Sequence, residues 1–179
     1  IDVYYDALSR LEKKLLKKYR PNIVTAMVGT LRRTLREFVG EIDALLIDLT
    51  EHILPSLHDE YLKFEKQNIQ LRDKYSLYER IVLFLDEYSK RKTFLDMLQK
   101  RKYRDRDIFA NVFDFLISNM SSYDVDSMFE MDKIVREITI GLIVALLVDR
   151  LMKQIIREKT IHLMSKISLK HLAKKHPMI

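Results

Sequence analysis

The chain of 179 residues has no cysteine and no tryptophan, and only three glycines and three prolines. Without cysteine there is no disulfide framework and no thiol chemistry, which fits a reducing compartment. The expected setting is therefore the cell interior (cytoplasm) or a virion. Glycine and proline fall far below their average usage of about 7% and 5%. Turns that need a positive or fixed φ must be few, so the elements between them are long, and a fold of many short strands is hard to build. Three isolated glycines cannot form a backbone phosphate cradle. No P-loop, dinucleotide glycine pattern or nucleophile elbow occurs.

The longest apolar run, residues 138–148, is bounded by Arg136, Glu137, Asp149 and Arg150. A membrane span needs roughly 20 such residues, so this run reads as a buried core helix and not an anchor. No signal-peptide pattern opens the chain, and Ile1 in place of Met leaves a preceding segment open. Scarce Asn and Gln lean toward a thermophilic source, whereas eight Met residues lean away from one.

What is present is helical periodicity. A first helix is expected over residues 2–20, stopped by Pro21. A second starts there with a seam of Val24, Val28, Leu31, Leu35, Phe38, Ile42, Leu45 and Leu49, stepping by four and three, flanked by Val39, Leu46 and Ile53. Pro55 is expected to end this helix in a hairpin, with Ser56 and Asp59 able to cap the next. The next seam runs through Leu57, Tyr61, Phe64, Asn68, Leu71, Tyr75, Tyr78, Val82 and Leu85. Asn68 is its one polar member. Such a residue in an apolar seam fixes register or partner, unless helix curvature carries it to the surface. Tyr61, Asn68 and Tyr75 are accordingly candidate interface residues.

A short helix is expected over residues 108–117 and a loop over 121–126. Ser127 and Glu130 then read as a capping box opening a last long helix that runs to Pro177. The fold expected is all-α: an elongated helical bundle of about five or six helices, two of them long and heptad-patterned. Residues 1–125 would form a bundle with a long hairpin. Residues 126–179 would form an apolar core helix continuing into a basic amphipathic one, in the same domain.

The formal net charge is +6. It is concentrated in residues 150–179, where eight Lys and Arg face a single acid, Glu158. Lys159, Lys166, Lys170 and Lys174 share an arc of about 80° on a helix, opposite Ile155, Ile156, Leu163, Met164, Ile167 and Leu172. Basic helices of this kind serve as nucleic-acid arms, membrane-surface helices or partner helices, and an ordinary solvated face is the plain alternative. A second basic group is Lys13, Lys17, Arg32, Arg33 and Arg36, with Glu12, Glu37 and Glu41 near enough in sequence to neutralise it. A third is the stretch 90–106, with Lys100, Arg101 and Arg104 around Tyr103.

Histidines and carboxylates crowd only at Glu51-His52 and His58-Asp59-Glu60. Histidine followed by aspartate resembles part of a metal phosphohydrolase site. The further ligands such a site needs have no counterparts in the chain, and no Glu-x-x-His pair exists for a di-iron bundle. No metal, cofactor or catalytic residue is therefore assigned. The function expected is a non-enzymatic, oligomerising protein that binds nucleic acid through its phosphates, DNA or RNA being unresolved. A nucleoprotein, a virion coat subunit or a small ribonucleoprotein subunit would fit. The alternatives are a helical adaptor for a protein partner and a peripheral membrane-surface protein, neither with an integral membrane contact.

Overall fold

A computed structural model describes the backbone of residues 2–100, 102–103, 106–107, 114, 118 and 125–175. The chain is an all-α bundle. Its described helices are α1 (Asp2–Leu15), α2 (Pro21–Glu37), α3 (Val39–Gln67), α4 (Leu77–Tyr88), α5 (Lys92–Gln99) and α6 (Val125–Lys175), with a 3₁₀ turn over Ile69–Asp73 between α3 and α4. Residues 102–103 pair antiparallel with 106–107. Of the expected helix over 108–117 only Asp114 is described, and it is helical; the rest of it and the residues 121–124 of the expected loop lie outside the described residues. Val125 and Asp126 belong to α6.

The core is built around the apolar stretch of α6. Ile134, Val135, Ile138, Leu142, Ile143, Leu147 and Leu151 have no exposed surface. Each such side chain contributes roughly 1.5–3 kcal/mol relative to leaving it in water. Tyr4, Leu8 and Leu15 of α1, Val24, Val28, Leu31 and Leu35 of α2, and Ile42, Leu46, Leu49 and Ile53 of α3 complete one apolar cluster with it. Helix α1 runs antiparallel to α6. Leu11 meets Gly141, Lys18 bonds Glu137 at 2.6 Å, and Arg20 gives Nε and Nη2 to Glu130 at 3.0 and 2.9 Å. Helix α3 runs parallel to α6, with Arg150 near Glu51 and His58 near Glu158. Tyr4 ties α1 to α3 by donating its hydroxyl to Asp43 Oδ1 at 2.6 Å.

Several expectations about helix ends are corrected. Helix α1 stops at Leu15, short of the expected Arg20, whereas Pro21 opens α2 as expected, in its first turn, where its missing N–H costs nothing. The first long seam is not one helix but two, because Phe38 leaves helical geometry at φ −122° and ψ 29°. A straight helix drifts about 20° per heptad away from a strict seven-residue repeat. The break at Phe38 lets Ile42, Leu46 and Leu49 return to the core.

Pro55 does not make a hairpin. Helix α3 passes through it. Both Pro55 and Glu51, whose carbonyl loses its partner there, are exposed, so water can satisfy that carbonyl. Asn68 is no seam residue either. It ends α3, and its Nδ2 donates to the Phe64 carbonyl at 2.9 Å. The 4-3 pattern across Asn68 therefore spans two helices and a 3₁₀ turn. Ser127 is not an N-cap, since α6 already begins at Val125. Glu130 turns to Arg20 instead.

Candidate nucleic-acid interface

Helix α6 has 51 residues, about 76 Å at roughly 1.5 Å per residue. Only its first part is clothed by the bundle. Leu151 and Ile155 are buried, and then every residue from 156 to 174 is exposed. A helical arm about 28 Å long therefore leaves the bundle at Ile155. The last ties to the bundle are near its base. Glu158 Oε2 stands 3.1 Å from the buried His58 Nε2, at an angle that leaves that nitrogen without a well-formed hydrogen bond. Lys159 interacts electrostatically with Glu65. Burial alone would raise the Glu65 carboxyl, but the hydrogen bond from Arg72 and the nearby Tyr61 hydroxyl outweigh it and hold the group below its ordinary range.

Beyond this base the arm has no acid. Lys166, Lys170 and Lys174 make no ion pair among the described residues, which makes them open cations. On a helix, Lys159, Lys166 and Lys170 fall within about 40° of one another, and Lys174 lies about 40° further round. The arm is also apolar. Ile156, Ile161, Leu163, Met164, Ile167, Leu169 and Leu172 are 48–66% exposed. Six of the seven fall within an arc of about 180°, but not opposite the lysines as expected, since Leu163 falls between Lys170 and Lys174 and Ile156 at the angle of Lys174.

The other basic groups do not join the arm. Arg32 is engaged, with Nη2 3.1 Å from Glu12 and 3.3 Å from Ser9. Arg33 donates to Thr30 at 3.4 Å. Lys13, Lys17 and Arg36 are exposed. Because α1 is antiparallel to α6, its basic end lies level with Glu137. That is about 33 Å from Lys159 along the α6 axis at 1.5 Å per residue. The positive charge is thus divided between two ends of the bundle. Lys100 is exposed at the end of α5, while Arg101 and Arg104 lie outside the described residues.

The three candidate interface residues do not share a surface. Tyr61 is fully buried, its ring 5.6 Å from that of Phe84 in an aromatic chain that continues through Tyr88 to Phe94. Burial first, and the Glu65 carboxylate second, push its phenol up to about 12. Asn68 caps α3, and Tyr75 is exposed in the turn before α4. His52 accepts or donates at 2.6 Å with the Asp48 carbonyl, and His58 faces Glu158, so the two histidines serve different neighbours.

One feature has no sequence signal. A groove of about 310 Å3 opens between α1, α4 and α6, with Gly141 at its wall. Asp6, Asp86 and Asp149 line it, together with Arg10 and Lys14. Arg10 is held by the Tyr78 hydroxyl at 3.2 Å and Asp149 by Lys153 at 2.9 Å. Asp6 and Asp86 have no ion pair among the described residues.

No helix among the described residues is long and apolar enough to cross a membrane. No protein-family model, curated protein or solved structure matches this chain.

Proposed function

We propose that this chain is a non-enzymatic, self-associating helical protein that binds nucleic acid through its phosphates, with Lys166, Lys170 and Lys174 of the arm as its main contacts. One observation carries this reading: residues 156–174 form a helix exposed on all sides, with no acid after Glu158. Cations held on a rigid rod and not neutralised by the protein are available to displace counterions from a phosphate backbone. The arm carries no Phe, Tyr, Trp, Asn or Gln, so base stacking is left to His162 and His171 and base-edge reading contributes little. Lys13 and Lys17 form a second, separate contact group at the far end of the bundle.

The test is retention of labelled duplex DNA and single-stranded RNA at low salt by the wild-type chain and by Lys166→Gln/Lys170→Gln/Lys174→Gln. Loss in the variant, with its helix content intact, supports the reading. Equal retention by both removes the arm from it.

A second reading is favoured by the exposed Ile and Leu residues of the arm, which phosphates do not cover. A basic helix with such residues lies on an anionic bilayer surface. Flotation with anionic vesicles, with nucleic acid absent, separates the two.

A further inference from the structure

The cations open to phosphate stand in two groups at different levels of α6. Lys166, Lys170 and Lys174 are on the arm. Lys13 and Lys17 are exposed where α1 ends, and they too make no ion pair among the described residues. The Lys18–Glu137 contact sets this second group at the level of Glu137. That level is about 43 Å from Lys166 along α6, at roughly 1.5 Å per residue. Beside Lys17, Lys18 is held by Glu137 and Arg20 by Glu130. Both are ion pairs at the surface, which hold weakly and leave their cations within reach of a phosphate.

The surface between the two groups does not continue the positive charge. Helix α3 runs beside α6 over this interval, with Glu51 near Arg150 and His58 near Glu158. Its residues 39–62 hold Glu41, Asp43, Asp48, Glu51, Asp59 and Glu60 and no Lys or Arg. Glu41, Glu51 and Asp59 are exposed. In the groove between α1, α4 and α6, Asp6 and Asp86 stand with Arg10 and Lys14, so its charge is balanced. Along α2, Arg32 is paired with Glu12, and Glu37 and Glu41 follow Arg33 and Arg36. A duplex laid along the bundle to reach both groups would bring its phosphates within a Debye length of such carboxylates, about 10 Å at 0.1 M salt. A duplex that crosses only the arm, or only the end of α1, avoids that cost.

We infer that one molecule holds two nucleic-acid segments at once, one across the arm and one at the end of α1, and so bridges them. The partner at the second site is a phosphate backbone, bound by charge as at the first. The α1 site has few cations and is the weaker of the two. On a long strand its engagement is intramolecular once the arm is bound, and the raised effective concentration offsets that weakness. The inference rests on the phosphate reading of the arm given above and adds a second segment to it.

Capture of a fluorescent duplex by a different duplex fixed to beads tests it, with the full chain as the only link and at low salt. Wild type should retain on the bead duplex and carry the fluorescent one with it. Lys13→Gln/Lys17→Gln changes only exposed side chains and should keep wild-type circular dichroism. It should still be retained on the bead duplex through its arm, yet lose most of the capture. Wild type that is retained without capturing the second duplex would overturn the inference and leave the arm's reading standing. A variant that captures like wild type would overturn it too, because self-association of arm-bound molecules would then be the link. A variant that loses retention as well would show both groups on one segment, with the same consequence. Wild type that is not retained at all would remove the reading of the arm and the inference with it.

Discussion

Glu158 Oε2 lies 3.1 Å from Nε2 of His58, and at that level α6 changes from a core helix to a free one. Three residues earlier Ile155 is 3% exposed, and five residues later Leu163 is 59% exposed. One unbroken helix thus serves two environments. Leu147→Ala and Leu169→Ala make the contrast measurable, since the first residue is 0% and the second 66% exposed. The first should cost about 2–5 kcal/mol through lost burial and a cavity. The second should stay within about 0.5 kcal/mol. Urea unfolding of both variants gives the two numbers directly.

Pro55 lies inside α3 and denies the helix one backbone donor. Proline in a helix interior costs about 3 kcal/mol relative to alanine. Replacing it also frees the unfolded chain, which returns about 0.4–1 kcal/mol to the unfolded state. Pro55→Ala should therefore stabilise the protein by about 2–2.6 kcal/mol in the same unfolding assay. A hairpin turn at this position would instead lose stability on the change.

A Cβ built on Gly141 would stand 2.6 Å from Leu11 Cδ1 and 2.8 Å from Cδ2. Those methyls are the free end of a side chain that borders the groove, so they can swing into it. Alanine also gains about 1 kcal/mol of helix propensity over glycine. Gly141→Ala should thus remain within about 1 kcal/mol of wild type, whereas Gly141→Leu overpacks the α1–α6 contact and should cost about 1–3 kcal/mol. Thermal unfolding of the pair checks both.

Tyr61 titrates at about 12 in the folded protein, raised first by burial. Its unfolded value is about 10. The unfolded chain therefore releases this proton first, and the stability linked to the neutral phenol is complete below pH 10 and lost as the pH rises toward 12. Tyr4 is raised in the same direction by burial and by its bond to Asp43, so the alkaline loss has two sources. Tyr61→Phe should reduce the fall in melting temperature between pH 9 and 11 without removing it. An unchanged fall would assign the whole effect elsewhere.

The all-α class was legible because so few glycines and prolines leave no means of making many turns, and because residues 138–148 are too short to span a bilayer and too apolar to be exposed. Element boundaries were less legible, each for a local reason. The break at Phe38 has only Gly40, two residues on, as a signal, and an isolated glycine in a periodic pattern does not by itself end a helix. Pro55 carries the strongest break signal in the helix and is overridden because its orphaned carbonyl faces water. Asn68 fits a heptad count that continues by coincidence past the end of α3. The lysines of the arm were readable from spacing alone, but their freedom was not. Whether Lys174 faces solvent depends on where the bundle stops, and that is a tertiary fact. The groove joins α1, α4 and α6 across the length of the chain and leaves no pattern in any one of them.

The salt dependence of nucleic-acid binding tests the central claim most directly. Each phosphate contact contributes about 0.9 to the slope of log K against log salt for duplex DNA and about 0.7 for single strands. Fluorescence anisotropy of wild type and Lys166→Gln/Lys170→Gln/Lys174→Gln, measured from low to moderate salt on duplex DNA, should show a slope smaller by about 2–3 in the variant. Equal slopes in the two proteins, or wild-type binding that ignores salt, would contradict the assignment of the arm to phosphate.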